Sequence, residues 1–107
     1  MNYKLKIIQP RGIFDGRKGR QIYEELSKIV GSGIQTVILD FQDITFMDSA
    51  GFGTILLTLK TVRQEQIRLV LCSINEQVRM ILEISDTIKF FEVFPDQESF
   101  LQTVNDY

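Results

Sequence analysis

The chain has 107 residues, 44% of them hydrophobic, and its 12 basic and 14 acidic side chains give a formal net charge of −2. It holds no histidine and one cysteine, which excludes Ser-His-Asp and Cys-His catalysis, His-ligated metals, an intrachain disulfide and a thiolate zinc site. The charge balance argues against general nucleic-acid binding, the apolar content argues against disorder, and no run approaches the ~18 apolar residues of a membrane span.

Met1-Asn2-Tyr3-Lys4 leads into an alternating segment rather than the apolar core of a signal peptide. A single domain over residues 1–107, in the cytoplasm, is therefore expected. Tyr3 to Gln9 reads as a strand ended by Pro10, which has no N–H for a central ladder. Gly12-Ile13-Phe14 is expected as the return strand of a hairpin turning at Pro10 and Arg11. Ile22, Tyr23, Leu26, Ile29 and Val30 recur at helical spacing, and Gly31-Ser32-Gly33 ends that helix. Thr36 to Phe41, with its unbroken Val37-Ile38-Leu39, predicts a strand covered on both faces. Phe52, Ile55, Leu56, Leu59 and Val62 mark a second helix, and Arg68 to Cys72 another buried strand. Asn75 is placed to cap a helix running through Ile84. Phe90 to Phe94 reads as the last strand; Phe90, Phe91 and Phe94 read as core rather than as an exposed hydrophobic patch, and Cys72 as core. Pro95-Asp96 then opens a final helix that turns Phe100, Leu101 and Val104 inward. This alternation predicts an α/β fold, a small mixed sheet of about five strands flanked by about four helices.

Three segments could carry chemistry. Asp40, Asp43 and Asp48 sit at and beyond the end of a buried strand, where open α/β sheets place their sites. They read either as a carboxylate cluster for Mg²⁺ or as turn residues and a helix cap. Pro10 to Arg20 interleaves Gly12, Gly16 and Gly19 with Arg11, Arg17, Lys18 and Arg20. That pattern suits a phosphate-cradling loop, but Gly19-Arg20-Gln21 lacks the Lys-Ser/Thr of a Walker motif. A flexible turn with a basic patch at the start of the first helix is the simpler reading, and basic residues opposing the helix dipole there point to a partner. In Phe46-Met47-Asp48-Ser49-Ala50-Gly51-Phe52-Gly53, Asp48 as N-cap puts Met47 and Phe52 at the positions of a hydrophobic staple and turns the Ser49 hydroxyl outward. Gly51 and Gly53 would each cost about 1 kcal/mol against alanine in the first turns. Such a helix start lets something approach its backbone closely, either another element of the fold or a partner enzyme.

Val37-Ile38-Leu39-Asp40-Phe41, followed by Ile44-Thr45-Phe46-Met47-Asp48-Ser49-Ala50-Gly51-Phe52-Gly53, resembles the signature of STAS domains, and within them the bacterial anti-sigma factor antagonists. Gly12-Ile13-Phe14-Asp15 also sits where that family has Gly-x-hydrophobic-Asp before its first helix. The resemblance implies a regulator that is not an enzyme and needs no cofactor or metal. When unphosphorylated it binds an anti-sigma factor with serine kinase activity and frees a sigma factor. The match puts the phosphorylated serine at Ser49 and the docking surface at Asp15, Asp48, Ala50, Gly51, Phe52 and Gly53. A serine phosphatase resets the switch, and neither nucleic acid nor membrane takes part. The alternatives are a STAS adaptor in another kinase/phosphatase assembly, and a small Mg²⁺ enzyme using the three aspartates. The sequence departs from the family at two turns, where Glu65-Gln66 and Ser85-Asp86 stand in place of expected glycines.

Overall fold

The computed structural model describes residues 4–104. Among these, β1 (Leu5–Ile8), β2 (Arg11–Phe14), α1 (Gly16–Lys28), β3 (Thr36–Asp40), β4 (Asp43–Met47), α2 (Ser49–Gln64), β5 (Arg68–Cys72), α3 (Glu76–Ile84), β6 (Glu92–Phe94) and α4 (Gln97–Leu101) follow in order. Every residue of β3 is buried, because β3 lies between β1 and β5 in a four-stranded sheet ordered β1-β3-β5-β6. Val37 and Leu39 join a large cluster with Ile22 and Leu26 of α1, Ile55 of α2 and Leu82 of α3. Ile38 joins a second cluster with Val70, Cys72 and Phe100. Alternate side chains of a strand point to opposite faces, so the unbroken apolar run is what two covered faces require. Helices α1 to α3 cover one face and α4 the other.

The α/β class and the four helices agree with expectation, while the strands differ in detail. Gly12-Ile13-Phe14 is part of a strand, but there is no hairpin: β1 pairs in parallel with β3, and β2 pairs in parallel with β4 in a separate two-stranded sheet. All four ladders among the described residues are parallel. Two residues separate β1 from β2 and β3 from β4, so the chain twice leaves the large sheet and enters the small one at once. The Ile44–Met47 connection is itself a strand, which brings the described strands to six. The strand expected over Phe90–Phe94 shortens to β6 because Ile88–Phe90 forms a 3-10 turn. Phe91 is buried and Phe94 packs on the second cluster, but Phe90 is 45% exposed beneath the Lys89 ammonium. Tyr3 lies outside the described residues.

The two glycine-deficient turns have a specific geometry. After α2, Gln66 has φ +60, with Ile67 N–H bonded to Val62 O at 2.9 Å and Gln66 N–H to Arg63 O at 3.0 Å. After α3, Asp86 has φ +59, with Thr87 N–H bonded to Leu82 O at 2.9 Å. These are Schellman endings with a side chain where glycine is favoured. A left-handed non-glycine residue costs ~1–2 kcal/mol, partly offset by the extra unfolded-state freedom glycine would bring. Gln66→Gly should therefore stabilise the protein by about 0.5–1 kcal/mol and raise its melting temperature by about 4 °C. Asp86→Gly should gain less, since Asp tolerates this conformation and Asp86 pairs with Lys89 at 2.8 Å. Thermal melts of the two variants check the ranking.

Candidate functional site

The small β2–β4 sheet positions the site. Phe14 and Met47 are neighbours in its register, so the residues that follow them, Asp15 and Asp48, leave the sheet side by side. Each caps a helix. Asp15 Oδ1 accepts from Lys18 N–H at 2.9 Å, and Asp48 Oδ1 accepts from Gly51 N–H at 2.8 Å. The Asp48 N–H donates to Phe14 O at 3.2 Å, tying the two caps together. The helices start at one place and stay close. A Cβ on Gly16 would lie 3.1 Å from the Ala50 Cβ, and one on Gly19 would overlap the Thr54 side chain. Arg11–Phe14 is thus strand and Gly16–Arg20 helix, which overturns the glycine-rich-loop reading. Gly16 and Gly19 are spaced i, i+3 to admit a neighbouring helix.

Asp48 makes the cap of α2, so Ser49 at the first helical position is not needed for it. The Ser49 side chain is exposed and its hydroxyl has no hydrogen-bond partner among the described residues. Ala50 and Gly53 are also exposed, and Phe52 is half-buried against the core. Gly51 faces inward, where a Cβ would collide with the Phe14 carbonyl. Gly53 has nothing within 4 Å of the place a Cβ would take. The two glycines of this helix start therefore differ: the fold itself requires Gly51, and no packing requires Gly53.

The three aspartates do not form a carboxylate cluster. Asp40 is 2% exposed; its Oδ1 accepts from Gln42 N–H at 2.9 Å and its Oδ2 from Gln97 Nε2 at 2.6 Å, which pins the β3–β4 turn to α4. Asp43 Oδ2 accepts from Gln9 Nε2 at 3.0 Å, and Asp48 caps α2. Among the described residues no group of Cys, Asp and Glu side chains is placed to hold a metal ion. Burial, then the charges of Asp40 and Asp96, push the Cys72 thiol up to about 11. At neutral pH it is a protonated core side chain.

Sequence reasoning missed the support behind the site. The Gln77 amide on α3 accepts from Met47 N–H and donates to Met47 O, each at 2.8 Å. Asn75 Nδ2 reaches Ile44 O at 3.2 Å while its Oδ1 caps α3. These side chains satisfy the free edge of β4 as a further strand would. No local pattern announces a contact between segments so far apart.

No helix among the described residues is long and apolar enough to cross a membrane. Residues 2–100 match the family model of the STAS domain. The chain belongs to the STAS family. This STAS domain is 34% identical over 89 residues to BtrV of Bordetella bronchiseptica, which carries the name of an anti-sigma factor antagonist, across 83% of this chain and 77% of that protein. It is 24% identical over 106 residues to the anti-sigma F factor antagonist of Paenibacillus polymyxa, across 91% of each. Its fold matches SpoIIAA, named an anti-sigma factor antagonist, in an unphosphorylated and a phosphorylated form. For the unphosphorylated form the TM-score is 0.74 at 20% identity, over 100% of this chain and 94% of that one. For the phosphorylated form from Bacillus it is 0.72 at 21% identity, over 95% and 93%.

Proposed function

We propose that this STAS domain is an anti-sigma factor antagonist switched by phosphorylation at Ser49. Unmodified, it binds an anti-sigma factor with serine kinase activity and so releases a sigma factor; modified, it lets go, and a serine phosphatase restores it. It acts in the cytoplasm as one module over residues 1–107, supplying an acceptor hydroxyl while its partners supply the catalysis. Asp15, Asp48, Ala50, Phe52 and Gly53 form the docking face around Ser49, with Gly51 setting the depth of the helix start beneath it.

The observation that carries this reading is the free hydroxyl of Ser49 on an exposed first turn that Asp48 has already capped. A kinase can draw that hydroxyl into its active site without breaking the helix start. The open space at Gly53 suits a partner surface that comes close to the α2 backbone.

The test is to incubate the protein with a purified anti-sigma kinase from the same cell and ATP, then locate the phosphate by mass spectrometry. Phosphate at Ser49 is the expected result. Modification elsewhere, or none, rejects the proposal. Phosphate at Ser49 from a kinase that holds no sigma factor would assign the chain to the adaptor class instead.

A further inference from the structure

A shallow basin of about 630 Å³ lies beside β2 and the first turns of α1, lined by Arg11, Ile13, Arg17, Lys18 and Gln21 among others. Three of these are cations, although the whole chain is acidic. Among the described residues the ion pairs are Lys6–Glu25, Arg68–Glu92 and Lys89–Asp86, so none of the three basin cations has a carboxylate partner. The lining holds one carboxylate, Asp15, and it is engaged in capping α1 through Lys18 N–H. Lys18 Nζ donates to Arg11 O at 2.6 Å, which holds two of the cationic residues together. The first turn of α1 has no acidic residue, so Arg17 and Lys18 sit where the helix dipole repels positive charge. Apart from the Lys18 Nζ bond to Arg11 O, no acidic group among the described residues answers these charges, and an anionic partner would.

The basin also has an apolar border: Ile13 belongs to its lining, and Phe46 stands next to Ile13 just outside it. Ile13 is 53% exposed, and its neighbour in the β2–β4 register, Phe46, is 47% exposed. Two large apolar side chains held side by side in water, with cations lining the basin on the Ile13 side, match a ligand that carries an apolar side chain next to acidic ones. A nucleic acid would meet the cations but leave the apolar pair uncovered, and it would be repelled by the acidic remainder of the surface.

We infer that this basin docks a short acidic segment of a protein partner, with an apolar side chain seated on Ile13 and Phe46 and carboxylates reaching Arg11, Arg17 and Lys18. The basin adjoins the proposed docking face at Asp15, but the inference does not require phosphorylation at Ser49.

The experiment is a titration of the ¹⁵N-labelled full chain, followed by NMR, with a synthetic peptide of two glutamates on each side of a leucine. The amides of Arg11, Ile13, Arg17, Gln21 and Phe46 should shift together, and added salt should weaken the effect. Combining Arg11→Glu with Arg17→Glu reverses two exposed charges and should lower affinity about tenfold while the spectrum stays dispersed. A peptide with serine in place of the leucine should bind more weakly, as should an oligothymidylate of equal charge. Ser49→Ala should leave the titration unchanged, so failure of the phosphorylation switch and failure of this surface are read separately. Absence of shifts at millimolar peptide, shifts on another face, equal binding of the serine peptide, or tighter binding of the oligothymidylate would each overturn the assignment.

Discussion

Gly51→Ala lowers the stability of the fold by about 3 kcal/mol or more, at the upper end of what overpacking a core costs. The added methyl would collide with the carbonyl of Phe14. That atom is backbone, in a strand held by β4 on one side and by the Asp48 N–H at its end, so no rotamer change relieves the clash. Either α2 moves outward or the β2–β4 ladder opens at its end. The melting temperature should fall by more than about 10 °C. Gly53→Ala, two residues on, is the control with the opposite sign. It lies in the same helix with open space around it, so it should gain about 0.5–1 kcal/mol from helix propensity and reduced unfolded-state entropy. If Gly53 serves a partner rather than the fold, the same variant should bind the anti-sigma factor more weakly while melting higher. Chemical denaturation of both variants and calorimetric titration of Gly53→Ala check these outcomes; a destabilised Gly53→Ala would contradict them.

If the proposed switch holds, Ser49→Asp should reduce binding to the anti-sigma factor at least a hundredfold and leave the circular dichroism spectrum unchanged. In the free protein the new charge is exposed to water, and its interactions are small and opposed. The helix N-terminus favours an anion by ~0.3–1 kcal/mol, while the neighbouring Asp48 carboxylate disfavours it. Against a partner, water is removed and an uncompensated charge costs several kcal/mol, with every ~1.4 kcal/mol a tenfold loss of affinity. Phosphate itself adds about −1.5 to −2 charge, enough to roughly double the chain's −2. Ser49→Ala should bind normally and resist inactivation by kinase and ATP. Retained binding by Ser49→Asp would count against a switch at this position.

Much of this was legible in the chain because the informative patterns are local. Val37-Ile38-Leu39 reports two-sided burial through its lack of alternation, and Asp48 reports a helix start through chemistry complete within three residues. β4 escaped because its burial follows no simple period: Ile44 and Met47 are buried while Thr45 and Phe46 between them are exposed. The supposed hairpin failed for a different reason. Strand pairing is a non-local choice, and nothing in Gly12-Ile13-Phe14 says that its partner is β4 rather than the strand just before it. Gly16 and Gly19 resembled loop residues because a close helix–helix contact and a flexible turn both favour glycine. For the site, Ser49 and its cap could be read directly, whereas the adjacency of Asp15 to Asp48 depends on the β2–β4 ladder. The Gln77 bridge to Met47 depends on where α3 comes to rest.

The all-parallel ladders also bear on how the chain reaches its fold. Leu5 must find Thr36, Arg11 must find Asp43, and Thr36 must find Arg68, each across an intervening helix. With no hairpin to form early, every strand pairing closes a long loop before any hydrogen bond repays it, a topology associated with slow folding. The helices are the elements able to form locally; α1 and α2 are the longest of them, and a nucleus built on their contact at Gly19 and Thr54 is the expected start. The glycine that lets α1 and α2 lie close in the finished protein would then also bear on the rate at which a newly made chain reaches its fold.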